Sequence, residues 1–302
     1  MKVIFLKRTT IISFLIISLT IFTITYSLYN FTLKKKSIST FSPINSDTSI
    51  DINADGTNEL LKVNNNNISL ILKDKTINFS SYYNDKALTS SPYSWPIKAY
   101  TFNLSRRLSP ELILQTNNNK HSNIAIFQYY NDKLIKLYSE DKNIFGILNL
   151  NTSKTPTCYT MNSSQGNSSL KSFMISNNEI IDTTKYYKEI PDIDNIITFI
   201  NLVEQDFEID VAPDIFMENI ESSQLGLLWN LSKENYAYSF QDAFFTNDFI
   251  DNQGNITSMI WRITFEKYNK NSDSNKKETV FLVTTELNEN NNYKISGISL
   301  NK

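Results

Sequence analysis

The stretch Asp51-Ile52-Asn53-Ala54-Asp55-Gly56-Thr57-Asn58-Glu59 places an oxygen-bearing side chain at alternate positions and a glycine directly after the third of them. Such spacing predicts a loop that binds Ca²⁺. A hard cation takes about six to eight oxygens, alternate residues of a tight loop point inward, and glycine permits the sharp turn. Asp51, Asn53, Asp55 and Glu59 would supply side-chain oxygens, directly or through water, and Thr57 its backbone carbonyl. An EF-hand would need a bidentate Glu at the twelfth position, where Lys62 stands. A dockerin would need a helix next, whereas Leu60, Leu61 and Val63 lead into a strand. The bland reading of the stretch is a solvated acidic turn.

Downstream of the loop the chain repeats itself. Pro110-Glu111-Leu112-Ile113-Leu114 and Pro156-Thr157-Cys158-Tyr159-Thr160 open equivalent units, after which Ile124 answers Leu170, Phe127 answers Phe173 and Leu134 answers Ile180 at one constant offset. The calcium loop begins an earlier copy, with Glu59-Leu60-Leu61 answering Glu111-Leu112-Ile113. Each unit reads as two or three apolar strands joined by an Asn-rich turn, as in FQYYNDKLIKL and FMISNNEIIDT. Periods of about 40 to 50 residues with several short strands apiece are typical of propeller blades. Over residues 47–185 the chain resembles the FG-GAP/VCBS family of calcium-loop repeats, whose D-x-[DN]-x-D-G-x-x-[DE] pattern Asp51, Asn53, Asp55, Gly56 and Glu59 match. The resemblance implies a propeller-like antiparallel β-repeat domain over 51–188, of the kind found in many exported bacterial proteins, with a structural Ca²⁺. The later copies depart from the pattern, with Asn103, Ser105 and Arg107, then Asn149, Asn151 and Ser153, in the places of Asp51, Asn53 and Asp55. A cation does not tolerate Arg107 there, so metal is expected in the first loop alone. Three units also fall short of the about four to eight blades of a closed propeller, which implies an open or half-size variant.

Residues 189–302 change character. Ile193, Ile196, Ile197, Ile200, Val203 and Phe207 recur at helical spacing behind a Pro191-Asp192 entry, and a second helix is expected from Asp214 towards Trp229. Four strands should follow, Tyr236–Phe249, Ile256–Tyr268, Thr279–Leu287 and Tyr293–Leu300, with Met259, Trp261, Ile263 and Phe265 on one face and Arg262, Thr264 and Glu266 on the other. Helices followed by an antiparallel meander make an α+β domain. The arrangement resembles the NTF2-like cone in architecture, without a specific motif. The expected fold class is therefore mainly β plus α+β.

At the other end, Thr9 to Tyr29 carry no charge, and about 20 apolar residues suffice for a transmembrane helix. The reading is a signal anchor over 1–36 and a Ser/Thr/Asn-rich linker over 37–50, with the rest extracytoplasmic. Cleavage near Thr25-Tyr26-Ser27, giving a secreted protein, is the rival. Cys158 is the only cysteine, which rules out an internal disulfide. That absence, together with few arginines and much Asn, Ile and Lys, suits an exported protein of a low-GC Gram-positive bacterium. No acid precedes Asp47, so setting aside Lys2, Lys7, Arg8, Lys34, Lys35 and Lys36 from a net charge of −2 leaves a distinctly acidic remainder. An acidic surface argues against a nucleic-acid partner; the expected partners are the membrane, through the single N-terminal helix, and a cell-wall polymer or envelope protein.

Candidate chemistry is thin. One histidine, His121, and one cysteine cannot assemble the usual zinc site, and Cys158 reads as a small buried hydrophobe. Glu204, Asp206, Glu208, Asp210 and Asp214 could hold the acid and base of a glycoside hydrolase, or simply a solvated surface. Tyr93, Trp95, Tyr100, Tyr129 and Tyr130 could stack on sugars, though aromatics more often fill β-sheet interiors. The main expectation is an envelope binding or scaffolding module. The alternatives are a wall- or polysaccharide-active hydrolase and a small-ligand sensor domain.

Overall fold

The computed structural model describes residues 17–25, 42–44, 46–64, 66–84, 86–118, 121–150, 152–207 and 212–301, in two compact units, Met1–Ser42 and Pro43–Lys302. In the first unit residues 17–25 form a helix, α1, whose Thr20, Thr23 and Thr25 hydroxyls donate to carbonyls three or four residues back. At 1.5 Å per residue α1 rises about 13 Å, less than half of a hydrocarbon core of about 30 Å. Among the described residues no helix is long and apolar enough to cross a membrane, which corrects the expectation of an N-terminal transmembrane helix. The rest of the Thr9–Tyr29 run lies outside the described residues.

The second unit begins with two four-stranded antiparallel meanders, β1 (Thr48–Ile50), β2 (Glu59–Asn64), β3 (Asn67–Ile71) and β4 (Thr76–Asn78), then β5 (Lys98–Phe102), β6 (Glu111–Asn118), β7 (His121–Tyr130) and β8 (Lys133–Glu140). The stretch expected to be linker thus already contributes β1, and Ile44 bridges to Ala99. The two sheets bury facing apolar sets, Leu61 and Leu70 from the first, joined by Phe79 of the turn after β4, and Leu112, Leu114 and Phe127 from the second. Phe79 meets Phe127 edge-on, with ring centroids 5.0 Å apart.

A third meander, β9 (Ile144–Leu148), β10 (Thr157–Met161), β11 (Lys171–Ser176) and β12 (Glu179–Asp182), does not end in a free inner edge. Its first strand pairs in parallel with β13 (Tyr236–Ile250), Ile144 to Ile147 running beside Ala243 to Thr246. Through β14 (Ile256–Asn269), β15 (Ser272–Leu287) and β16 (Tyr293–Asn301) the sheet grows to eight strands in the order β12-β11-β10-β9-β13-β14-β15-β16. One sheet therefore runs through both segments expected as separate domains, and residues 43–302 form one compact unit. This corrects the expected fold class. Strand makes up 47 % of the described residues and helix 16 %, and among them there is no closed barrel or propeller; the third meander instead continues through its β9 edge into β13.

Gly146 makes that junction. It lies opposite Phe245, and a Cβ on it would stand 2.1 Å from the Phe245 ring. The ring crosses the space of the missing side chain to stack on Trp261 at 4.3 Å.

Helices cover the far face of the large sheet. In α2 (Ile193–Glu204), Ile193, Ile196, Ile200 and Val203 fall on one face and are buried against Phe245, Trp261, Ile263 and Phe265. The second helix, α3 (Ser222–Trp229), is shorter than expected. Residues before it lie beside the edge of β16, with Met217 N–H donating to Ile295 O (2.9 Å) and Ile295 N–H to Ile215 O (2.8 Å). Backbone groups spent on a strand edge cannot close helical turns, and the contact covers an edge open to association.

Candidate metal centre and buried ionic cluster

The Asp51–Glu59 loop joins β1 to β2 and closes on its own hydrogen bonds. Asp51 accepts the N–H of Asp55 (3.2 Å) and of Gly56 (3.1 Å), one at each carboxylate oxygen. Asn53 Oδ1 accepts the Asp55 N–H at 2.8 Å, and the Asn53 amide donates to Asp55 Oδ2 (3.1 Å) and Glu59 Oε1 (2.9 Å). Gly56 has the left-handed φ of 85° that the turn requires. Bonds from the Thr57 hydroxyl and backbone N–H hold the Asp55 carboxyl below its ordinary range. Glu59, only 6 % exposed, accepts the Ile52 N–H at 3.0 Å.

All five expected ligand residues are thus in one loop, and their side-chain donors are hard oxygens, as Ca²⁺ prefers. They are not arranged as a finished cage. Among the described residues no group of three or more His, Cys, Asp or Glu side chains is placed to hold a metal ion. An amide nitrogen, that of Asn53, lies between the Asp55 and Glu59 carboxylates. The residue types suit Ca²⁺, but an oxygen in the nitrogen's place would require that amide to turn and to give up the bond that Oδ1 accepts from the Asp55 N–H. Asp251 binds the turn between β13 and β14 in similar fashion, accepting the N–H groups of Gln253 (2.9 Å) and Asn255 (2.8 Å). Self-bonding of this sort does not separate a metal loop from a turn.

The equivalent loops of the other meanders occupy the same station, β5 to β6 and β9 to β10. Glu111, fully buried, accepts Leu104 N–H at 2.7 Å as Glu59 accepts Ile52 N–H, and Gln128 Nε2 adds a bond of 2.9 Å. Pinning of the loop by a glutamate at the start of the second strand is therefore common to the first and second loops. Arg107 turns away to lie over the Tyr130 ring and to meet Asn178. Thr157 takes the glutamate's place in the third loop; Asn151 lies outside the described residues.

The acids considered for hydrolysis are not brought together. Asp206 pairs with Lys270 (3.0 Å), Asp214 with Lys294 (3.0 Å), and Glu204 accepts the Phe240 N–H (2.7 Å), while Glu208 and Asp210 lie outside the described residues. Of the aromatics, Tyr100 and Tyr129 are buried and only Tyr93 is well exposed, so they do not form one surface. His121 is exposed at the start of β7, and burial pushes the Cys158 thiol far up, which leaves it unreactive.

A buried ionic cluster joins the second sheet to the large one, and strand alternation does not reveal it. Arg262, Thr264 and Glu266 share one face of their strand, yet Arg262 and Thr264 are 4 % and 0 % exposed, covered by the second sheet. Lys98 Nζ of β5 lies 2.7 Å from Asp242 Oδ2 of β13 and 3.3 Å from Glu278 Oε1 of β15, and Arg262 reaches Glu278 at 3.5 Å. Trp95 Nε1 also donates to Asp242 (2.7 Å), Ser94 to Glu266 (2.7 Å), and Tyr100 stacks on Phe244 at 4.3 Å. The signal was present in single charges set inside apolar strands, as in Ile97-Lys98-Ala99, Gln241-Asp242-Ala243 and Trp261-Arg262-Ile263. Lys98 and Asp242 are each 1 % exposed, so they bind one sheet to the other rather than meet a substrate.

A polar cleft of about 330 Å³ opens at the start of α2, lined among others by Glu189, Asp192, Asp194, Asn195 and Lys294. Asp192 sits at its inner end, and its Oδ2 accepts Trp261 Nε1–H (2.7 Å) and the Thr285 hydroxyl. Burial raises its carboxyl to about 6 in spite of those bonds. The unfolded chain ionises this group near the ordinary 3.8, so its contribution to stability is whole below that pH, declines as pH rises to about 6, and is then level. A shift of about two units corresponds to about 3 kcal/mol. In Asp192→Asn that decline should be absent, so that the difference between variant and parent changes with pH in the variant's favour, as measured by urea unfolding at pH 4, 5, 6 and 7. An unchanged slope would mean that Asp192 ionises normally in the fold.

No family model matches the chain, and no curated protein is significantly similar to it.

Proposed function

We propose that the chain is an extracytoplasmic binding or scaffolding module, in which Ca²⁺ bound by Asp51, Asn53, Asp55, Thr57 and Glu59 stiffens the first of its face-packed sheets. Its partner would be a wall polymer or an envelope protein. The observation that carries this reading is the common station of the three loops, each between the first two strands of a four-stranded meander, with Glu59 and Glu111 making the same backbone bond. Of the three, only the first keeps the acidic and amide oxygens of the calcium pattern. The ionic cluster supports a scaffold rather than a catalyst, since its charges are spent between sheets.

Thermal unfolding of the full chain, with millimolar CaCl2 or with chelator, tests the proposal. An ion that binds only the native state with a Kd of about 0.1 mM stabilises it by about 2 kcal/mol at about 2 mM. The increment should vanish in Asp51→Ala/Asp55→Ala. If the folded parent shows no calcium response, the loop is an acidic turn and the reading fails. Co-sedimentation with purified cell walls examines the partner, and retention is the expected result.

A further inference from the structure

Arg106 makes a contact that neither the metal centre nor the ionic cluster uses. It stands in the second loop where Ala54 stands in the first, and both have left-handed backbone, φ 60° and 61°. That conformation is uncommon outside glycine and small polar residues. The side chain leaves its own loop and enters the third. There Nη2 lies 3.2 Å from the carbonyl oxygen of Asn149, 2.6 Å from that of Thr152 and 2.7 Å from that of Lys154.

Three carbonyls of one loop facing a single charged nitrogen form the kind of neutral oxygen set that holds a cation. The third loop is bent into this shape by its own bonds, the Thr152 N–H and hydroxyl both donating to Asn149 O at 3.3 and 3.0 Å, and the Lys154 N–H to Thr152 Oγ1 at 3.1 Å. No carboxylate occurs between Asn149 and Lys154. The set therefore suits one positive charge better than two, and a guanidinium that never deprotonates, with several N–H donors, meets it well.

We propose that the third loop is a site for a small monovalent cation of the guanidinium class, filled in the intact chain by Arg106, so that a tethered cation clamps the second loop to the third. The parallel with a metal ion rests on the reading of the first loop given above, whereas the clamp stands without it.

The test uses the full chain carrying Asp51→Ala/Asp55→Ala, so that the first loop cannot answer added cations, with and without Arg106→Ala. The expected result is a fall in Tm of a few degrees on losing Arg106, of which millimolar methylguanidinium restores at least half. Tetramethylammonium at equal ionic strength, which has no N–H to donate, should restore none. Arg106→Lys, which keeps the charge, should fall less than Arg106→Ala. An unchanged Tm in Arg106→Ala would overturn the proposal, as would a fall that methylguanidinium leaves unrepaired. Failure of the calcium reading is seen separately, in the calcium response of the chain with Asp51, Asp55 and Arg106 all intact.

Discussion

Lys98→Met is expected to destabilise the protein by about 3 to 5 kcal/mol, because it leaves the Asp242 carboxylate buried without its ion-pair partner, hydrogen-bonded by the Trp95 indole. Asp242→Asn should cost a similar amount for the opposite reason. It strands the Lys98 ammonium beside Glu278, whose contact is longer and whose side chain is 21 % exposed. The double variant Lys98→Met/Asp242→Asn carries no buried unpaired charge, and its new amide would still offer an oxygen to Trp95. Its cost should therefore be well below the sum of the singles, with a coupling of about 2 kcal/mol or more in urea unfolding. Additive costs would show that the two side chains contribute by packing alone. A buried ion pair is weak evidence for net stability, and replacing both partners can be nearly neutral. What the pair supplies here is placement: β5 bears on β13 where Lys98 can reach Asp242, and a shifted register would bury both charges unpaired.

Gly146→Ala is the second large effect, with an expected loss of about 3 kcal/mol or more, at the upper end of overpacking costs. The added methyl would stand 2.1 Å from the Phe245 ring, and that ring is fixed by its stack on Trp261 in the main core. Either β9 moves away from β13, opening the only parallel pairing in the eight-stranded sheet, or the ring leaves its stack. Phe245→Leu in the same chain makes room, so Gly146→Ala should be far milder in that background than in the parent. If the alanine costs the same in both, the strain lies elsewhere in β9.

Much of the local structure was legible because it depends on local chemistry. The apolar spacing of Ile193, Ile196, Ile200 and Val203 forecast α2, and alternation forecast β13, β14 and β16 to within a residue at each end, whereas β15 begins at Ser272, seven residues before the expected Thr279. Residues 214–221 were misread as helix because their apolar side chains suit one, whereas their backbone answers to Ile295, far away in sequence. The candidate metal loop was legible as a set of oxygens around a glycine. The intervening Asn53 amide and the bonds of Glu111 to its own loop were not, since each depends on where one side chain turns.

The sequence by itself determined the elements, namely the loop at Asp51–Glu59, its degenerate successors, the amphipathic face of α2 and the strand-rich end. Periodicity and turn chemistry act over a few residues, and a chain carries them wherever it goes. Only the tertiary structure decided that the third meander would join β13 instead of meeting another blade, that a polar strand face would be buried and neutralised by Lys98, and that Arg106 would serve a loop other than its own. Those outcomes depend on pairs more than 40 residues apart, whose complementarity of volume and charge exists only once both surfaces are built.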